Sequence, residues 1–110
     1  VQLSYAIGIA EPTSINVNTF GTSKFKLTNS EIAEMIYNIF DLRPYSIEKR
    51  LALRNPIYFE TSSYGHMGRV HKKINKVFLN KNNQQVNQQV DLFTWENLNY
   101  VQKINNYLNK

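Results

Sequence analysis

One stretch decides the fold of this 110-residue chain: Ser4-Tyr5-Ala6-Ile7-Gly8-Ile9-Ala10-Glu11-Pro12. The runs on either side of its centre, residues 1–6 and 14–20, alternate in polarity and are rich in β-branched and aromatic side chains. Such runs are typical of strands, and the glycine and proline between them mark a turn or an irregular crossing. We therefore expect two antiparallel strands joined through this stretch.

The second of these strands has two different faces. Ile15, Val17 and Thr19 fall on one face, because side chains alternate along a strand. The other face carries Asn16, Asn18 and Phe20. The pattern indicates a sheet with one covered face and one wetter face.

A helix is predicted after the sheet. Thr28 followed by Glu31 is a capping box, in which each residue's side chain bonds the backbone N–H of the other. The apolar residues that follow recur at helical spacing and form one stripe to lie on the sheet: Ile32, Met35, Ile36, Ile39 and Phe40. Pro44 then suits the first turn of a second helix, which should end before Asn55-Pro56.

The remaining elements are a hairpin and a terminal helix. Ile57 to Thr61 is expected to be a short strand or extended segment, followed by a glycine-bearing loop over residues 62–69. Residues 70–90, rich in Lys, Asn and Gln, predict a β-hairpin whose turn is centred on residues 80–83. Residues 97–108 have apolar side chains at helical spacing. Together these predict an α+β fold, a small mostly antiparallel sheet with helices packed on one face around one core.

Composition limits the classes of function. The chain contains no cysteine, which excludes disulfides and thiolate chemistry and weakly favours the cytoplasm. No apolar run approaches the roughly 20 residues that span a bilayer. The net charge of +5 has two interpretations. It could attract the chain to polyanions, or it could result from a drift in base composition toward the codons of Asn, Ile and Lys. The drift in base composition is favoured.

Three motifs in fixed order resemble a known family. They are Ser4 to Pro12, Phe40-Asp41-Leu42-Arg43-Pro44 and Tyr64-Gly65-His66-Met67-Gly68-Arg69. With residues 55–58 and Phe93-Thr94-Trp95-Glu96, they resemble the C-terminal region of S-adenosylmethionine synthetase, also called methionine adenosyltransferase. The resemblance makes residues 1–110 a C-terminal domain fragment, with a lineage-specific surface insertion at 70–90. The chain departs from the family at Thr94, where proline is usual, and at residues 62 and 63, where the family commonly has alanines.

The resemblance also implies a fold and an activity. The family has three similar α+β domains, and its active sites lie between the subunits of a dimer that often pairs into a tetramer. It forms S-adenosylmethionine from ATP and methionine with magnesium and potassium, releasing phosphate and pyrophosphate. The groups that bind triphosphate and metal lie upstream in the family, so no catalytic or metal-binding residue is assigned here. The fragment alone is expected to be inactive.

Two residues carry the site prediction. In the family the Ala6-Ile7-Gly8 corner approaches the active site, so the resemblance makes Ile7 an apolar contact to substrate or product. Gly8 would allow the backbone to come close. The alternative is that Ile7 is a core residue at the end of a strand.

Other candidates have simpler structural interpretations. His66 lies between glycines and is expected to have a hydrogen-bonded structural role, and its five-residue spacing from His71 does not favour a metal site. Arg43 and Arg69 are predicted to form structural ion pairs, with Asp41, Glu60 or carboxylates elsewhere in the full enzyme.

Two further classes of function compete with the enzyme fragment. The lysines between residues 72 and 81 could form a nucleic-acid face, but a solvated hairpin is favoured because only one aromatic residue lies among them. A noncatalytic interaction domain is the third class, with Tyr100, Tyr107 and Leu108 docking on a neighbouring domain or subunit.

Overall fold

The structure is a computed structural model that describes residues 1–109, and it has the predicted α+β class. Its elements are β1 (Gln2–Ser4), β2 (Ser14–Asn16), α1 (Asn29–Ile39), α2 (Pro44–Arg50), β3 (Lys72–Leu79), β4 (Gln85–Leu92) and α3 (Val101–Leu108). Two short 3₁₀ helices cover Phe59–Thr61 and Thr94–Glu96.

The described chain forms two compact units, whereas the sequence led us to expect a single compact unit around one core. The first unit contains residues 1–47 and the chain from Tyr100 onward, and the second contains Glu48–Asn99. The strands divide in the same way, because β1 pairs with β2 and β3 pairs with β4 in separate antiparallel sheets. The buried cluster of Ile57, Val90, Leu92 and Phe93 lies wholly within the second unit.

The sheet of the first unit is short. Gln2, Leu3 and Ser4 pair with Asn16, Ile15 and Ser14, and the half-buried Leu3 and Ile15 are directly opposite each other. Both strands are shorter than predicted, since the chain leaves the ladder after Asn16 and turns beyond it. Helix α1 packs against β2, as its apolar stripe predicted.

The capping box of α1 is present. The Glu31 amide donates to Thr28 Oγ1 at 3.3 Å, and the Thr28 amide donates to the Glu31 carboxylate at 2.7 Å. The bond from the Thr28 amide, followed by that from its hydroxyl, lowers the pKa of Glu31. Caps of this kind contribute about 1 kcal/mol, which fixes the start of the helix at the predicted residue.

The terminal helix packs against α1 within the first unit. Tyr100 stacks on Phe40 with ring centroids 4.5 Å apart, and Asn38 Nδ2 donates to Tyr107 Oη at 3.3 Å. Both tyrosines, which are candidates for docking on another domain, have partners within this chain. The helix begins at Val101, later than predicted, after Tyr100 as its N-terminal cap residue.

The predicted hairpin of the second unit is confirmed. Strands β3 and β4 pair over their full length, with Ile74 opposite Val90 and Phe78 opposite Val86 on one face. At the base of the hairpin, Val90 is buried and Ile74 packs against the core cluster. The sequence suggested that residues 70–90 are a surface insertion. The structure shows that the segment is not purely a surface feature, because the base of the hairpin forms part of the core.

Helix α2 ends at Arg50, before Asn55-Pro56 as predicted, and a local motif determines where it stops. The Leu53 amide donates to Glu48 O at 3.0 Å and the Ala52 amide donates to Lys49 O at 3.2 Å, with Ala52 at φ 52°. This pair of bonds around a left-handed residue is the Schellman motif, which usually has glycine at that position. Alanine obscured the stop signal in the sequence.

The predicted extended segment at 57–61 is wrong over its second half. Phe59–Thr61 is a 3₁₀ helix. Hydroxyl groups favour this local conformation, because Thr61 Oγ1 donates to Tyr58 O at 2.7 Å and Ser62 Oγ donates to Phe59 O at 2.6 Å.

Candidate functional site

The predicted contact residues lie in a tight turn. The Ile9 amide donates to Ala6 O at 3.1 Å, and Gly8 has φ +85°. A type II turn requires positive φ at its third residue, which is the position of Gly8. The Thr13 amide donates to Ser4 O at 2.8 Å and closes the loop beside the sheet. The sequence therefore places Ile7 at the tip of a defined turn.

The side chain of Ile7 is completely exposed in this chain, with a relative accessibility of 106%. The alternative that Ile7 is a core residue is therefore wrong. A Cβ built on Gly8 would have no neighbour within 4 Å, so within this chain its φ angle is the reason for glycine. The turn presents an apolar side chain that nothing in the described chain covers.

The Phe40–Pro44 motif forms an ion pair, as predicted for Arg43. Arg43 Nε donates to Asp41 Oδ1 at 2.9 Å, and Ser46 Oγ donates to Asp41 Oδ2 at 2.7 Å. The hydrogen bond from Arg43, followed by that from Ser46, holds the pKa of Asp41 well below its usual range. Glu11 Oε1 lies 3.9 Å from Arg43 Nε. The carboxylate of Asp41 is thus already engaged by neighbours that order the start of α2.

In the second unit, two sequence motifs come together. Glu96 Oε1 accepts hydrogen bonds from the amides of Gly68 at 2.6 Å and Arg69 at 3.3 Å. Trp95 Nε1 donates to His66 O at 2.7 Å. Both motifs were recognised in the sequence. Nothing in the sequence predicted that Trp95 and Glu96 would hydrogen-bond to the backbone of the glycine loop. Positive φ angles at Gly65 and Gly68, 76° and 70°, allow the loop to turn its backbone toward Trp95 and Glu96.

Arg69 has a different partner set from the one predicted. Its Nη1 donates to Ser63 O at 2.7 Å and Gly65 O at 3.3 Å, and its guanidinium lies 4.6 Å from the centroid of the Phe93 ring. Phe93 is buried and has left-handed backbone angles, φ 54° and ψ 48°. Arg69 therefore ties the glycine loop to an aromatic residue, through hydrogen bonds to two carbonyls and a contact with the ring.

His66 supports the loop through its backbone and ring. Its carbonyl accepts the bond from Trp95, and its ring lies 5.9 Å from that of Trp95 at a tilt of 36°. Among residues 1–109, no three His, Cys, Asp or Glu side chains are grouped so that they could hold a metal ion.

The lysines of the hairpin are partly neutralised. Lys76 Nζ lies 2.8 Å from Glu60 Oε2, with both side chains mostly buried, and Lys73 Nζ lies 4.0 Å from Asp91 Oδ1. Burial raises the pKa of Glu60, but the bond from Lys76, its own backbone amide and the charges of Lys76 and Lys72 together lower it overall. Two of the four lysines in this segment thus have acidic partners, which weakens the case for a nucleic-acid face.

The comparisons with known proteins agree with the motifs. The family described as "S-adenosylmethionine synthetase, C-terminal domain" matches residues 1–77. The chain belongs to the S-adenosylmethionine synthetase family. S-adenosylmethionine synthases from Parabacteroides distasonis and Cytophaga hutchinsonii are 57% and 53% identical to it, over 94% of this chain in each case. The match covers 24% and 25% of those proteins, so the chain spans about a quarter of the length of these relatives.

Thr94 and Ser62, where the resemblance led us to expect proline and alanine, both form hydrogen bonds. Thr94 Oγ1 donates to Leu51 O at 2.7 Å, a bond that proline could not make. Ser62 Oγ bonds the carbonyl of Phe59, as described above.

No helix among residues 1–109 has the length and apolar character needed to cross a membrane.

Proposed function

We propose that this chain is the C-terminal part of a methionine adenosyltransferase, which joins methionine to the adenosyl group of ATP. The proposal is supported by the family match and by relatives that are named S-adenosylmethionine synthases. In this proposal the remaining three-quarters of the enzyme supplies the groups that hold triphosphate, magnesium and potassium. The complete enzyme is a cytoplasmic homodimer or homotetramer, and this chain alone has no turnover.

Within that enzyme, Ile7 makes an apolar contact with substrate or product. The observation that carries this proposal is the exposed position of Ile7 at the tip of a turn fixed by Gly8. An exposed isoleucine contributes to binding only when another surface covers it, because the gain comes from removing apolar area from water. Gly8 keeps the turn free of a second side chain, which leaves room for the ligand beside the backbone.

A hybrid synthase tests the proposal. This chain would replace the matching quarter of the Parabacteroides distasonis synthase, and S-adenosylmethionine formation from ATP and methionine would be measured. We expect the hybrid to be active and the isolated chain to be inactive. An inactive but correctly folded hybrid would argue against the assignment, and turnover by the isolated chain would show that the catalytic groups lie within it.

The role of Ile7 is tested in the same hybrid. Ile7→Ala should lower kcat/KM by about tenfold, because it removes several buried methylene groups in the complex. Ile9→Ala is the matched control, since Ile9 ends the same turn but is only about half exposed, at 56%. If Ile7→Ala and Ile9→Ala have equal kcat/KM, Ile7 does not make the proposed contact with substrate or product.

The proposal also treats residues 70–90 as an addition to a shorter family form. The family match ends at residue 77, within β3, whereas the matches to the two named synthases extend over 94% of the chain. Shortening only the outer part of the hairpin, between Lys76 and Gln88, would spare the core residues Ile74 and Val90. We expect that hybrid to keep its activity, and a loss of activity in a folded hybrid would give the outer hairpin a functional role.

A further inference from the structure

A second exposed residue lies at the tip of a turn after β2. The Thr22 amide donates to Thr19 O at 2.9 Å, and the two residues between them, Phe20 and Gly21, have φ angles of 52° and 74°. Positive φ at both central positions is the pattern of a type I′ turn, which strongly prefers Asn, Asp or Gly. Gly21 fits this preference, whereas Phe20 is a bulky residue in the left-handed region.

Several hydrogen bonds hold the turn in this conformation. Asn18 Oδ1 accepts from the Phe20 amide at 2.8 Å, and Thr22 Oγ1 donates to Thr19 O at 2.7 Å. Thr19 Oγ1 also bonds Asn29 Oδ1 at 3.1 Å, which ties the turn to the start of α1. The left-handed backbone of Phe20 is thus imposed by polar neighbours on both sides.

The strained backbone of Phe20 does not bury its side chain. Its relative accessibility is 85%, so the ring is in water while the backbone is in an unfavourable region for its side chain. Both features disfavour phenylalanine at this position of the isolated chain. Strained residues of this kind cluster at functional sites, which makes Phe20 a candidate for such a site.

The Phe20 turn is separate from the Ile7 turn. The loop containing Ile7 follows Ser4, which pairs with Ser14 at one end of the two-stranded sheet. The turn containing Phe20 follows Asn16, which pairs with Gln2 at the other end. Phe20 therefore does not belong to the surface assigned above to substrate contact.

We propose that Phe20 is a preformed anchor that inserts into an apolar pocket of the synthase polypeptide lying outside this chain. The inference rests on the proposed function, which gives this chain about three further quarters of a synthase to pack against. Aromatic residues held in one orientation make effective anchors, because little conformational freedom is lost when they dock. The hydrogen-bonded turn fixes the direction in which the Phe20 side chain leaves the backbone.

Phe20→Asn separates docking from folding. Asparagine is favoured in a type I′ turn, so the variant should melt at the same temperature as the wild-type chain or higher. Its affinity for the complementary part of the Parabacteroides distasonis synthase, the portion outside the matching quarter, should be at least tenfold weaker. The two polypeptides would be produced together, and the dissociation constant measured by titration. Phe59→Asn is the matched control, because Phe59 is an equally exposed aromatic residue, at 84%, in the other compact unit.

Each result has a defined meaning. Weaker binding by Phe20→Asn with an unchanged or raised Tm, and normal binding by Phe59→Asn, supports the anchor. Equal binding by Phe20→Asn and wild type overturns the anchor and leaves the proposed function intact. A lowered Tm for Phe20→Asn shows a structural role and also overturns it. If the folded wild-type chain does not bind the complementary polypeptide, the proposed function fails and the anchor fails with it.

Discussion

The indole nitrogen of Trp95 donates a hydrogen bond of 2.7 Å to the backbone carbonyl of His66, across 29 residues of sequence. This bond joins the glycine loop to the segment that follows β4. The neighbouring Glu96 carboxylate receives two amides of the same loop, so the loop is fastened at its centre and at its end.

Trp95→Phe should lower the free energy of unfolding by about 1–2 kcal/mol, because it removes this bond and part of the apolar area packed on the core. Urea denaturation of the 110-residue chain would measure the change. Leu98→Ala is the control, since Leu98 is 77% exposed and its truncation should change stability by less than about 0.5 kcal/mol. Equal stability of Trp95→Phe and wild type would show that the bond contributes nothing.

Ala52→Gly should stabilise the chain by about 0.5–1 kcal/mol. Ala52 has φ 52° in the Schellman motif that ends α2, and glycine adopts this region without the penalty of a Cβ. Thermal unfolding would detect a rise in Tm. Ala33→Gly is the matched control, because Ala33 is inside α1, and there glycine should lower the Tm. A decrease for both variants would contradict the left-handed assignment at residue 52.

Stability should depend on pH through Glu60. Its pKa is lower in the folded chain than the ordinary value of 4.5, so folding favours the charged form. The stabilisation is therefore full above about pH 4.5 and is lost as the pH falls through the folded-state pKa. Urea midpoints measured between about pH 3 and 7 should fall less steeply on acidification for Glu60→Gln than for wild type.

Lys76→Met provides the second test of this pair. The Lys76 hydrogen bond is the largest of the contributions that lower the pKa of Glu60, so the variant should reduce the acid sensitivity in the same way. If the urea midpoints of both variants fall on acidification as steeply as those of wild type, other carboxylates cause the acid sensitivity.

Gly8→Ala should lower the free energy of unfolding by about 1 kcal/mol. Space around the position is open, so the effect comes from φ +85° rather than from a clash. Gly8→Asn should cost less, since asparagine tolerates the left-handed region better than other residues. Ile7→Ala is the control for stability, because the isoleucine side chain is fully exposed in this chain. A Gly8→Ala chain as stable as wild type would contradict the turn geometry.

The most local signals gave the most accurate predictions. The Thr28–Glu31 capping box fixed the start of α1, and the polar turn near residue 80 between two alternating runs fixed the hairpin, because each signal depends on residues close in sequence. The end of α2 before Asn55-Pro56 was predicted, but the local stop at Ala52 was not recognised, since glycine normally occupies that position at the end of a helix.

The long-range features were not predictable from the pattern. Nothing in the sequence shows that Glu96 receives the amides of Gly68 and Arg69, because such a contact depends on how β3 and β4 return the chain to the loop. The turn at Ile7 was inferred from Gly8 and from the family resemblance. Its exposed tip required the structure, since an isoleucine beside a strand is more often buried.

The discontinuous first unit has a consequence for how this chain is made on the ribosome. Helix α3 packs against α1 in that unit, although the whole of the second unit lies between them in sequence. The hairpin and its core involve contacts over shorter separations, which form faster. The first unit therefore cannot be completed before α3 has been made, whereas every residue of the second unit precedes Tyr100.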